Sequence, residues 1–310
     1  MGVEDLNEYQ YYEFLVVDRP LDERQQAELR AVSARADITA TSFVNEYHWG
    51  GFGGDPRTLV EEYFDAFLYL ASWGTHRLMI RLPAQILDLD TARRYCATGT
   101  ASSWRHRDDV LIDLRCEAGS GEWDGTDETP LGAIIPIRAD LVAGDHRALY
   151  IAWLLAAQSE LDDDETEPPV PPTLGSLNGQ LRALVDFLHV DEDLLAVAAS
   201  ASGLGALEVP EVGLVKWIQE LADPDKDALL LRVIGGDPYV RCEMLQGVRK
   251  QHQGTSRSGK RTVGELLAAA SARRIDRQQK RRRSPVTEHL GREHDRTITG
   301  RRWLDTLAAQ

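Results

Sequence analysis

Seven basic side chains crowd eleven positions near the C-terminus and are the strongest chemical signal in the sequence. These residues are Arg273, Arg274, Arg277, Lys280, Arg281, Arg282 and Arg283. Cations that contact several phosphates give an affinity that falls with salt and carries little sequence specificity. No stripe of aromatic residues accompanies them, so the pattern does not indicate that bases are read. It predicts a helix that binds an anionic partner, either nucleic acid or an acidic protein, or that folds back on the chain's own acidic body.

A second group interleaves aromatic rings with cations around two segments, Tyr47–Gly54 and Trp104–Asp109. Its members are His48, Trp49, Phe52, Arg77, Arg81, Trp104, Arg105, His106 and Arg107. Rings stack on flat groups and arginine pairs with anions, so these residues suit a ligand-binding or catalytic site. The competing interpretation is structural: the tryptophans close the ends of the core, and the arginines pair with acids across a sheet. The sequence favours this interpretation and keeps an enzyme or small-ligand-binding protein as the alternative.

The other motifs are incomplete. The glycine run at 50–54 lies between a strand and a helix, but it is not G-x-G-x-x-G, and Pro56 removes one N–H that a phosphate would use. Residues 254–262 resemble a P-loop, yet Arg261 stands where a magnesium-binding hydroxyl belongs. The scattered histidines form neither HExxH nor a His/Cys cluster with ligand spacing, and G-x-S-x-G is missing. We therefore expect no cofactor, no metal and no catalytic residue.

The composition of the 310 residues is typical of a globular protein, with a formal net charge of −15. The charge is uneven: residues 241–310 hold 17 basic and 7 acidic residues, a net charge of +10, whereas residues 1–240 carry −25. An acidic body excludes nucleic-acid binding over the whole surface and leaves the C-terminal part free for it. Three cysteines without CxxC spacing, the missing signal-peptide pattern and the lack of a long apolar run predict a cytoplasmic protein outside the membrane.

Residues 1–159 alternate between strand and helix patterns. Strands are expected at 11–17, 38–47, 76–82, 110–117 and 133–137, and helices at 22–34, 55–71 and 88–96. The clearest strand places Leu78, Ile80 and Leu82 on one side and Arg77 and Arg81 on the other, which indicates a sheet with one polar face. We therefore predict the α+β class, with a mixed or antiparallel sheet and helices on one face.

The stretch ELDDDETEPPVPP at 160–172 combines an acidic run with prolines, so a solvated linker is predicted there. After it, apolar residues at helical spacing predict a small all-α domain at 173–252. A hinge and a basic helical tail follow at 253–310. In this tail Thr262 and Glu265 form a capping box, the first turns are apolar and the later turns are basic on every side. Such a helix must project into solvent or meet an anion.

The stretch SFVNEYHWGGFGGDPRTLVEEYFDAFLYLASWGTHRLMIRLP at 42–83, preceded by YYEFLVVDRPL, resembles an uncharacterised bacterial protein family. The similarity extends through the linker LDDDETEPPVPP and the helix RTVGELLAAASARR, and so covers most of the chain. The resemblance implies a shared architecture, in which relatives extend the last helix as a charged coiled segment. Residues 284–310 depart from that pattern. The resemblance implies no activity, cofactor or catalytic residue.

Overall fold

An antiparallel sheet of seven strands forms the centre of the fold. The computed structural model describes residues 9–117, 130–203, 211–237, 239–252 and 261–280. Within them the strands are β1 (Gln10–Leu15), β2 (Asp37–Ile38), β3 (Ser42–Tyr47), β4 (Ala66–Ala71), β5 (Thr75–Pro83), β6 (Ala101–His106) and β7 (Asp109–Glu117). Their order is β2-β3-β1-β4-β5-β7-β6, and every neighbouring pair is antiparallel. With the helices that accompany it, this sheet confirms the predicted α+β class.

Helices make up most of the remaining described residues. They are α1 (Glu23–Val32), α2 (Pro56–Glu62), α3 (Leu89–Arg93), α4 (Pro130–Ile134), α5 (Ile137–Val142), α6 (Arg147–Ala157), α7 (Gly179–Phe187), α8 (Glu192–Ala199), α9 (Glu211–Glu220), α10 (Asp223–Ile234), α11 (Val240–His252) and α12 (263–280). The first helix begins at the predicted capping box, because Asp22 accepts from Gln25 N while the Gln25 side chain accepts from Asp22 N. All helices in these described ranges are too short or too polar to span a bilayer.

The helix that begins after Asp55 is shorter than predicted. Asp55 caps it by accepting from two backbone N–H groups, but α2 ends at Glu62 and β4 follows from Ala66. β4 lies between β1 and β5 in the middle of the sheet, and side chains on both of its faces are buried. A strand covered on both faces loses the alternation of polar and apolar residues, so its apolar run resembles a buried helix. The predicted helix over 55–71 is therefore wrong beyond Glu62.

Residues 133–137, predicted as a strand, comprise the end of α4, a turn at 135–136 and the first residue of α5. Leu131, Ile134, Ile137 and Leu141 are buried at spacings of three and four residues, which is the period of a helix. The predicted strand is therefore wrong. The apolar run at 133–137 is too short to show the period of a helix by itself. Conversely, β6 is a further strand at the edge of the sheet, and its polar residues show little alternation.

Both faces of the sheet carry a hydrophobic core. On one face, residues such as Leu68, Leu78 and Ile112 pack with α4 to α8 and with the first turns of α12. On the other face, aromatic residues such as Phe14 and Phe67 pack against α1 and α2. Helices therefore lie on both faces, which differs from the prediction of helices on one face. The arginines that suggested an open face are neutralised by buried carboxylates and tolerate partial burial for that reason.

The acidic, proline-rich stretch at 160–172 divides into an exposed part and a packed part. Residues 162–166 are exposed, as expected for an acidic run. Glu167 is only 1% exposed, and Pro168 and Pro171 are buried. Helices α7 and α8, which follow, contribute to the core on the first face of the sheet. The residues after 166 therefore pack against the body rather than being solvated, while the predicted division into domains stays a prediction.

Candidate functional site

The basic helix α12 has a buried beginning and an exposed end. Thr262 and Glu265 form the predicted capping box, with Thr262 N donating to Glu265 Oε2 at 3.0 Å and Glu265 N donating to Thr262 Oγ1 at 3.3 Å. Val263, Leu266 and Ala270 are buried in the core. All residues from 271 to 280 are exposed. The helix is therefore fixed at its N-terminus and presents its basic turns to solvent.

A buried ion pair fixes the start of this helix. Arg261 donates to both carboxylate oxygens of Glu167, at 2.9 Å and 2.6 Å, and the Tyr150 hydroxyl donates to the same carboxylate. Burial, together with the hydrogen bond to Glu167, raises the pKa of Tyr150. Arg261 also donates to the backbone oxygens of Val197 at 3.1 Å and Ala198 at 3.4 Å. The Arg261 guanidinium thus joins the start of α12 to the end of α8 and to Glu167, which lies in the stretch predicted as a linker.

Three of the predicted anion-binding residues meet acids at the start of α8. Arg273 Nε lies 3.3 Å from Asp193, Arg277 donates to Asp193 at 2.7 Å, and Arg274 pairs with Asp191. Asp191 caps α8 by accepting from two backbone N–H groups, so carboxylates at this helix start also face the positive end of its dipole. We call Asp191, Glu192 and Asp193 the α8 acidic turn. The contact corresponds to the predicted folding of the basic helix onto its own body.

The pairs between α12 and the α8 acidic turn are only partly buried. The side chains of Arg273, Arg274 and Arg277 are 57%, 45% and 43% exposed. Asp193 is only 3% exposed, so its pairs with Arg273 and Arg277 are buried on the acid side, and Asp191, the partner of Arg274, is 31% exposed. The exposed parts of the three guanidinium groups remain open to an anion in solution. Lys280 pairs with an acid one turn earlier in α12 at 2.7 Å. The predicted residues 281–283 lie outside the described part of the chain.

The two sheet arginines of the alternative site each hold a carboxylate. Arg77 donates to both oxygens of Asp113, at 2.8 Å and 2.9 Å. Arg81 donates to Asp65 at 2.8 Å and to the backbone oxygen of Glu61 at 3.2 Å. Both acids are almost fully buried, so these are charge-assisted bonds that hold strands together. The predicted pairing of these arginines with sheet acids matches this arrangement for Asp113.

The hairpin between β6 and β7 uses its predicted site residues to hold α2. Trp104 Nε1 donates to Glu61 at 2.7 Å, and the Arg57 guanidinium lies 4.2 Å from the centre of the same indole. His106 lies 3.6 Å from Glu61 and 3.5 Å from Glu62. The remaining two residues of the set complete the hairpin, since Arg107 pairs with Glu62 at 2.7 Å and Arg105 donates to the Arg107 carbonyl.

The three predicted site residues in the loop after β3, His48, Trp49 and Phe52, have different surroundings. Phe52 packs into the aromatic core on the second face of the sheet, beside Tyr12. Trp49 is 78% exposed, and the His48 ring lies 5.1 Å from that of Tyr9. Gly50 has a positive φ of 79°, which explains a glycine there. The nine residues of the alternative site therefore fall into three groups: the loop, the sheet arginines and the β6–β7 hairpin.

A polar cavity of about 220 Å³ is lined by one of these nine residues, Arg81, and by several charged residues that the sequence did not single out. Arg138 of α5 pairs with Asp18 and also donates to the Arg81 carbonyl at 3.1 Å. Asp65 accepts from Val17 N and Asp18 N, at 2.7 Å and 2.9 Å. The cavity walls are thus made of paired charges that join the end of β1 to β5 and α5. No local signal in the sequence identifies partners so far apart along the chain.

Glu13 is a further titratable residue that the sequence did not single out. It is 4% exposed and lies on the first face of the sheet, where the Tyr11 hydroxyl donates to it at 3.3 Å. Burial raises the pKa of Glu13 to about 7. The alternation Tyr11, Glu13, Leu15 on β1 is the one signal that places this acid inside the sheet.

Comparisons of the chain with protein-family models, with curated proteins and with solved structures found no match. The resemblance to a bacterial family therefore stays a prediction. Across the described ranges, His, Cys, Asp and Glu side chains form no group of three or more that could hold a metal ion.

Proposed function

We propose that this chain is a non-enzymatic, cytoplasmic interaction protein whose basic C-terminal helix binds an anionic partner. In this proposal the α+β body fixes the first turns of the basic helix and leaves its later, basic turns accessible to the partner. The observation that carries the proposal is the two-part character of α12: its first turns are buried, and each residue from 271 to 280 is exposed. A helix without a buried face in that part has no packing role there.

The α8 acidic turn supports the proposal because it shows that the arginines of α12 accept carboxylates as partners. Arg273, Arg274 and Arg277 each reach an acid of that turn and remain about half exposed. An external polyanion that offers more charges at the same spacing competes for these half-exposed guanidinium groups. Nucleic acid is the partner that this charge density suits best, because phosphates repeat along it at short intervals. An acidic protein is the other class that the basic helix suits.

Fluorescence anisotropy with labelled duplex DNA and single-stranded RNA tests the proposal on the full chain. We expect binding that weakens steadily with salt. The triple variant R273Q/R274Q/R277Q should lose most of the affinity, and its plot of log affinity against log salt should be shallower by about 2–3, close to one per lost phosphate contact. The matched control R24Q/R93Q/R105Q removes the same charge from exposed positions of the body and should bind like the wild type.

The outcomes separate the partners. Equal binding by the two triple variants, or binding insensitive to salt, would exclude α12 as the nucleic-acid site. Binding of an acidic polypeptide such as poly-glutamate with no binding of either nucleic acid would assign the helix to an acidic protein. Absence of binding to all three polymers would remove the proposal.

The alternative proposal, an enzyme or a small-ligand-binding protein at the Tyr47–Gly54 loop, has weaker support. Arg77 and Arg81 are already bonded to acids, and the remaining members are divided between the loop and the β6–β7 hairpin. Arg77 and Arg81 are 16% and 17% exposed, against 57%, 45% and 43% for Arg273, Arg274 and Arg277, so they leave little surface for a substrate anion.

A further inference from the structure

Two histidines from distant parts of the chain meet where the α7–α8 junction crosses the sheet. His76 lies on β5, directly opposite Cys116 of β7, and His189 follows the end of α7. The centres of their imidazole rings are 4.9 Å apart, with an angle of 47° between the ring planes. His76 is half-buried and His189 is exposed, so the pair is open to solvent on one side.

The His76 ring has a defined tautomer. Its Nδ1 lies 2.7 Å from the backbone oxygen of Phe187, and a carbonyl can only accept, so Nδ1 carries the proton. The neutral ring then presents the lone pair of Nε2. Donation of one ring N–H to a backbone carbonyl is the usual arrangement of a histidine that binds a metal through its other nitrogen.

The backbone at His189 is held in an unusual conformation. Its φ of 50° lies in the left-handed region that favours glycine at the end of a helix. Gln158 fixes this position from both sides: Nε2 donates to the His189 carbonyl, and Oε1 accepts from Asp191 N, each at 3.1 Å. Glycine would adopt this backbone conformation more easily than histidine does.

We propose that His76 and His189 form a two-histidine site for a divalent transition-metal ion of the kind that imidazole prefers, with Zn²⁺ as the representative. With metal–nitrogen distances of about 2.0–2.1 Å and tetrahedral angles, two imidazole centres on one Zn²⁺ lie about 5 Å apart. The observed separation of 4.9 Å is within the reach of such a bridge, which requires one nitrogen of the His189 ring to turn toward His76 Nε2. Since the described residues group no third His, Cys, Asp or Glu ligand with them, water completes the coordination.

The site has a structural consequence, because its two ligands belong to different layers. A metal ion there joins β5 of the sheet to the junction of α7 and α8. The α8 acidic turn begins two residues after His189, so metal binding would stabilise the turn that receives the arginines of α12. Glu117, whose charge acts on His76, adds attraction for a cation.

Calorimetric titration of the chelator-treated full chain with Zn²⁺, paired with thermal unfolding, tests the site. We expect the wild type to bind Zn²⁺ and its Tm to rise with the metal. H189N keeps a residue that tolerates the left-handed backbone, so it should fold with an unchanged metal-free Tm and bind this Zn²⁺ at least about tenfold more weakly. H76Q should lose the same binding step.

The control is H48N, which removes an exposed histidine elsewhere on the sheet edge and should retain the wild-type affinity. C116S should retain it too, because the thiol is not one of the two ligands. Zn²⁺ binding by H189N at wild-type strength would overturn the site, as would a wild-type Tm that does not respond to Zn²⁺. Equal loss in H48N would show unspecific binding and would overturn it as well.

Discussion

Replacing Arg261 with alanine should lower the free energy of unfolding by about 3 kcal/mol, because it strands a buried carboxylate. Glu167 is 1% exposed, and Arg261 supplies two of the hydrogen bonds to its carboxylate. Removal of one partner from a buried ion pair typically costs about 3–5 kcal/mol. Tyr150 still donates to Glu167, and the Arg261 side chain is 25% exposed, so the lower end of that range applies.

Urea unfolding followed by far-UV circular dichroism measures this free energy for the full chain. The matched control is R24A, which breaks a pair with Glu28. Arg24 is 87% exposed, so this variant should unfold at nearly the same urea concentration as the wild type. A double variant, R261M/E167L, removes both charges and should recover part of the loss, because the buried Tyr150 hydroxyl then lacks its acceptor. If R261A stays within about 1 kcal/mol of the wild type, the buried pair is not what fixes α12 to the body.

Three further outcomes follow from buried groups. Between pH 4.5 and 7 the unfolded chain has released the Glu13 proton that the folded chain keeps, so the free energy of unfolding falls as pH rises through this window. E13Q should remove this pH dependence and raise the free energy of unfolding by about 2–3 kcal/mol above pH 7. A urea midpoint of E13Q equal to that of the wild type above pH 7 would contradict this. Cys96 is fully buried with its pKa raised to about 12, so iodoacetamide should label it only after unfolding, as mass spectrometry will show. G54A places a Cβ 2.7 Å from the Phe52 ring and should cost about 1–3 kcal/mol in urea unfolding, whereas G53A, with open space around it, should be nearly neutral.

Elements with a local signal are the ones that the sequence predicts correctly. The alternation of Leu78, Ile80 and Leu82 marks β5, and the exchange of bonds between Asp22 and Gln25 marks the start of α1. β4 lacks such a signal, because it is a strand only through its hydrogen bonds with β1 and β5. Those bonds form when the sheet assembles, and the residues of β4 alone do not reveal them. Its apolar run is compatible with helix and strand alike.

In the candidate site, too, the sequence predicts some features and leaves others out. The cations of α12 are visible in the sequence because they are close together along the chain. Their acidic partners are not visible, since Arg274 and Asp191 lie 83 positions apart. Likewise the sequence presents Arg77 as a possible ligand-binding residue, and only the cross-strand neighbourhood of Asp113 assigns it a partner. A side chain's type can be known from the sequence, whereas its partner depends on long-range packing.

The contact of Arg261 with Val197 and Ala198 places the exit and the return of the intervening chain side by side. Among the described residues, none of those in α9, α10 and α11 belongs to either hydrophobic core. A segment whose two ends already meet can be shortened or exchanged at little entropic cost to the rest. In topological terms these three helices are an insertion into a closed body. The start of the basic helix after them is fixed by that body, through Arg261 and the buried first turns of α12.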